Sequence, residues 1–117
     1  MIWDKAEELG RLIGQMPEYK ALRRAETGLR DDQDAQAKVE LIQKLARQMD
    51  ELVAAGQMPD QATAETYETA VRELEVSPTG QAYAVSRANF EKLMIKVNQL
   101  IAQGMEKGAQ SSIITLG

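Results

Sequence analysis

The side chains able to do chemistry in this sequence are carboxylates, a few basic groups and little else. The 117 residues contain no cysteine and no histidine. That excludes a disulfide framework, a thiolate zinc site, an iron–sulfur cluster, a cysteine nucleophile and a histidine base or metal ligand. Carboxylates come in clusters: Glu7/Glu8, Asp31/Asp32/Asp34, Asp50/Glu51 and Glu73/Glu75. Acid–base catalysis needs two carboxyls held in distinct environments, usually in a cleft. These fall on polar helix faces or at a helix start, and no catalytic residue is expected among them. The Asp31–Asp34 run lacks the glycine and the closing glutamate of a calcium loop and reads as a helix start. A di-iron bundle would need Glu-x-x-His. The glycines form neither GxxxxGK[ST] nor GxGxxG, so no phosphate loop is present. No cofactor and no metal is expected.

Lys20, Arg23, Arg24 and Arg30 make one basic cluster, with Tyr19 beside it. It suits an acidic partner or a weak RNA contact; its plain alternative is i,i+3 pairing with Glu26 and ordinary solubility. The whole chain is acidic, with 14 basic and 18 acidic side chains and a net charge of −4. That balance argues against free-standing nucleic-acid binding. The charge is segregated. Residues 31–78 carry four basic and eleven acidic groups, while residues 79–117 carry four basic and two acidic. A solvated acidic face accounts for this, and so does an acidic middle that meets a basic end within or between chains.

The elements that carry these groups are helices. Alanine occurs 16 times and glutamine 11 times, and no alternating strand pattern runs for a useful length. Ile2, Ala6, Leu9, Ile13 and Met16 are spaced 4, 3, 4 and 3, one face of a helix over about Ile2–Gln15. Pro17 opens a second helix, about Glu18–Arg30, with Leu22, Ala25 and Leu29 on its stripe. The third runs from the Asp31–Asp34 cap to about Ala55, where Gly56 ends it. Met58-Pro59-Asp60-Gln61 reads as a loop, and a fourth helix spans about Thr63–Glu75. Ser77-Pro78 restarts the chain as N-cap and first helical residue. The last helix reads as about Thr79–Gly104. Tyr83, Phe90 and Val97 recur at seven, with Leu93, Met94, Leu100 and Ile101 filling a second row.

The fold class is therefore all-α: an elongated helical bundle of about five helices, with a long central and a long C-terminal helix. One domain is expected over residues 1–106, with 107–117 a flexible tail whose Ile113-Ile114-Thr115-Leu116 could instead dock on a neighbour. The stripe Tyr83, Phe90, Leu93, Met94, Val97, Leu100 and Ile101 is wider than one partner helix needs, and is expected to form the core or an oligomer interface. No targeting segment or apolar run long enough for a bilayer is evident, so cytoplasmic location without membrane insertion is the expectation.

The ordered set Pro17-Glu18-Tyr19-Lys20-Ala21-Leu22, Ala25-Glu26, Asp34-Ala35-Gln36, Ser77-Pro78 with Tyr83, and Phe90-Glu91-Lys92-Leu93 resembles the YlbF/YmcA family over about residues 3–106. The resemblance implies a non-enzymatic, oligomer-forming bacterial regulator of competence, sporulation or biofilm formation. Such relatives work in complexes with other proteins, including YaaT, and influence the endoribonuclease RNase Y and mRNA processing. The partners implied are a second copy of the chain, other family members or an RNA-processing complex. Tyr19, Lys20, Arg23 and Arg24 are the candidate partner contacts. Relatives with C-terminal cysteines are tied to an iron–sulfur cluster; this cysteine-free chain resembles the other branch.

Overall fold

The computed structural model describes residues 1–116, with their side chains through residue 110. Five helices follow one another: α1 Ile2–Gly14, α2 Pro17–Asp31, α3 Gln33–Ala54, α4 Gln61–Val76 and α5 Pro78–Leu116. No strand occurs among the described residues.

Each break has a local cause. Pro17 sits in the first turn of α2 and leaves Met16 extended, at φ −70° and ψ 144°, because a residue before proline is driven out of the helical region. Asp32 both ends α2 and caps α3, its Oδ1 accepting the Ala35 N–H at 3.1 Å. Gly56 follows α3 at φ +76°, a left-handed conformation that favours glycine. Asp60, read above as part of a loop, caps α4 by accepting the Thr63 N–H at 2.8 Å, so this helix starts at Gln61 rather than Thr63. Ser77 caps α5: its Oγ accepts the Gly80 N–H at 3.1 Å and donates to the Leu74 carbonyl at 2.7 Å.

α5 runs on past Gly104, where the apolar pattern stops. The residues that follow include Ala, Gln, Glu and Lys and no proline, so nothing in the backbone ends the helix there. The 39 residues of α5 make a rod about 58 Å long at 1.5 Å per residue. The tail segment Ile113-Ile114-Thr115-Leu116 has its side chains outside the described residues, as does Gly117.

α2 lies antiparallel along the first part of α5. Tyr19 meets Phe90 at one end of the seam, and Thr79 hydrogen-bonds to Asp32 at the other. α3 and α4 form a hairpin that closes against α2 and α5. α1 packs against α2. The molecule measures 67 × 37 × 20 Å, with a radius of gyration of 21.2 Å. A compact domain of this length would have about 13 Å. The surface exposed is 9192 Å², against about 6,300 Å² for a compact monomer of this mass. Buried apolar side chains among the described residues are few: Ala35, Leu45 and Ala70.

Candidate functional site

Three surfaces present the residues singled out by the sequence. The first is the seam of α2 and α5. The rings of Tyr19 and Phe90 lie 5.8 Å apart and tilted by 57°, within the usual range of a stabilising aromatic pair. Both are half-buried. Lys20, Arg23 and Arg24 stand exposed on the same helix, and none of them forms an ion pair among the described residues. The i,i+3 pairing with Glu26 offered as their plain explanation is not made. Tyr19 is thus turned inward while its basic neighbours face out.

The second surface is an open groove of about 650 Å³ where α2, α3, α4 and α5 converge. Leu29, Val39, Ile42, Val71, Leu74 and Tyr83 supply its apolar walls, with Glu75, Arg87 and Glu91 among its polar lining. Arg87 Nε donates to Glu91 Oε1 at 3.1 Å, which ties one of the two acids. Leu29 and Tyr83 belonged to helix stripes in the sequence. That the stripes would splay and leave a trough was not readable there, because stripe spacing fixes a face and not the angle at which faces meet.

The third surface is the distal part of α5. Leu93, Met94 and Val97 are half-buried, whereas Leu100 and Ile101 are 55% and 45% exposed. Ile95 and Met105, outside the expected stripe, are 57% and 69% exposed. The seven-residue row therefore divides. Tyr83 and Phe90 serve the chain's own packing, and the row beyond Val97 is uncovered.

The carboxylates show little that suits catalysis. The Asp31–Asp34 cluster is a helix start, as its composition suggested. Asp32 is held below the ordinary carboxylate range, first by the Ala35 N–H and then by the Thr79 hydroxyl, with Lys38 adding attraction. Asp60 is lowered by its hydrogen bonds from Thr63. Both are caps whose ionised form is stabilised where it stands, the opposite of an acid tuned to give up a proton near neutrality. Among the described residues no group of three or more Asp or Glu is placed to hold a metal ion. No helix among them is long and apolar enough to cross a membrane.

These features define a small, elongated all-α protein whose most prominent surfaces are apolar helix faces. Residues 2–106 match the family described as "Control of competence regulator ComK, YlbF/YmcA", and the chain belongs to that family. A relative, the UPF0342 protein SAG1376 of Streptococcus agalactiae serotype V, is 23% identical over 105 residues, covering 90% of this chain and 95% of its own. The crystal structure of Bacillus subtilis RicA in complex with RicF shares the fold. Its TM-score is 0.78 at 16% identity, over 92% of this chain and 96% of the other.

Proposed function

We propose that this protein is a non-enzymatic adaptor, which self-associates through the distal face of α5 and regulates by contact with protein partners. The observation that carries the reading is the uncovered apolar row of α5, with Leu100, Ile101 and Met105 all exposed. Burying such side chains is worth about 25 cal/mol per Å², and only a second polypeptide is available to do it once the chain's own segments are placed. The family description names competence control, and the similar fold of RicA was crystallised with a protein partner, RicF. Both support a regulator that acts by assembly. Other family members or an RNA-processing complex are the partner classes in keeping with it, with Lys20, Arg23 and Arg24 as the exposed charged contacts.

Light scattering across a concentration series tests the reading. The wild-type chain is expected as a dimer or larger, and Leu100→Asp as a monomer of unchanged helix content. A wild-type chain that stays monomeric at high concentration overturns it.

A second reading has a specific observation in its favour: Lys20, Arg23 and Arg24 are exposed and unpaired among the described residues. It is a weak RNA contact, which predicts salt-dependent retardation of RNA that falls when these side chains are neutralised. No retardation at low salt removes it.

A further inference from the structure

The groove beside Tyr83 is walled entirely by helices, with apolar side chains from α2, α3, α4 and α5. On its α5 side lie Gly80, Ala84 and Ala88, three positions four residues apart on one helix face. That row carries nothing longer than a methyl group, and Ala84 and Ala88 are exposed. An incoming chain can therefore come close to α5 there. It would find no backbone partner, because helix N–H and C=O groups bond within their own helix. An extended peptide would bury its backbone polar groups unpaired, at a cost in free energy. A helix satisfies its own. Gly80 to Glu91, the stretch of α5 that lines the groove, spans about 16 Å at 1.5 Å per residue, the length of about three helical turns.

Charge selects the chemistry of the occupant. Of the three ionic residues lining the groove, Arg87 is committed to Glu91 at 3.1 Å. Glu75 is exposed and makes no ion pair among the described residues. It stands on α4, whose sixteen residues hold four carboxylates and one arginine. A cation beside the apolar row of an occupant is attracted to this margin, and an anion is repelled. The same field opposes nucleic acid and anionic bilayers.

We propose that this groove receives an amphipathic helix of about three turns from a different protein, apolar on one face, with lysine or arginine beside that face to meet Glu75. This rests on the partner binding proposed above and names the surface and the partner's chemistry. The chain's own helices do not supply the occupant. α5 is one continuous helix through and beyond the groove, so its distal half cannot fold back onto its proximal half. α1 carries three carboxylates against two cationic side chains, the wrong balance for an acidic margin. The distal α5 of a second copy is cationic, but in the self-association proposed above that face is already covered.

Two fluorescent probes test this by anisotropy titration against the full chain: a stapled leucine–lysine amphipathic helix and its leucine–glutamate counterpart. The leucine–lysine helix is expected to bind several-fold more tightly. Glu75→Lys should erase that preference. Ala88→Trp, which fills the groove from an exposed position, should weaken binding of the leucine–lysine helix several-fold, with circular dichroism verifying that both variants stay helical. Equal affinity for the two probes, no binding, or binding indifferent to Ala88→Trp overturns the proposal. Light scattering on the same variants separates it from self-association. If Ala88→Trp dissociates the wild-type oligomer, the occupant is a second copy, and the proposal of a different protein is overturned while self-association stands. A monomeric chain that still binds the leucine–lysine helix, with the losses expected of both variants, supports the groove and removes self-association alone.

Discussion

The hydroxyl of Thr79 donates to Asp32 Oδ2 at 2.8 Å, joining the cap of α3 to the first turn of α5 across 47 positions of sequence. The other oxygen of the same carboxylate accepts the Ala35 N–H. One side chain thus caps α3 and ties that cap to the first turn of α5. Its ionised form receives both bonds, which is why its proton affinity is lowered.

A pH dependence follows with a definite sign. The folded carboxyl of Asp32 titrates below its unfolded value, so its contribution to stability is complete above the unfolded range near pH 4 and is lost as pH falls through the folded value. Asp60 acts in the same sense. Urea midpoints of the wild-type chain are expected to fall between about pH 5 and pH 3. Asp32→Asn should flatten that fall, and an unchanged slope would show that neither the Ala35 nor the Thr79 bond to this carboxylate is made in solution.

Gly80 is a position where only glycine fits. A Cβ there would run into the Leu74 carbonyl oxygen at the tight joint of α4 and α5. Gly80→Ala should destabilise by about 1–3 kcal/mol, the usual cost of overpacking. Gly28→Ala is the matched control. Its added methyl meets nothing within 4 Å, and it should stabilise α2 by up to about 1 kcal/mol through helix propensity. Thermal melts of the two variants should move in opposite directions.

Tyr19 and Phe90 should be energetically coupled. Phe90→Ala is expected to cost about 2–3 kcal/mol, below the 3–5 of a fully buried aromatic because the ring is half-buried. A double-mutant cycle with Tyr19→Ala should return a coupling of about 0.5–1.5 kcal/mol. Additive effects would mean that the seam is not closed in solution.

Leu45, 9% exposed, is the largest buried apolar side chain among the described residues. Leu45→Ala should cost about 2–4 kcal/mol, read as a lower urea midpoint. Leu41→Ala, four residues earlier on α3 and 39% exposed, should cost well under half of that.

Much of this molecule is legible in its residue order. The caps Asp32 and Ser77, the break at Pro17 and the left-handed Gly56 are local devices, and local spacing alone specifies them. The all-α class follows from the 3.6-residue apolar period and the absence of an alternating one. Asp60 was missed as a cap because the preceding Met58-Pro59 reads as loop, and only the Thr63 N–H pointing at its carboxylate identifies the role. The end of α5 was misplaced because the apolar row stops at Gly104 while the helix itself meets no breaker.

The sequence by itself determined the five helices, apart from the start of α4 and the end of α5, and which side of each helix is apolar, since both depend on neighbours a few residues apart. Only the tertiary structure decided which apolar sides meet. Crossing angles place Phe90 on Tyr19, open the groove beside Tyr83, and leave Ile2 and Trp3 of α1 and the apolar row beyond Val97 on α5 exposed. Those outcomes depend on contacts between distant segments, and residue spacing within one segment carries no record of them.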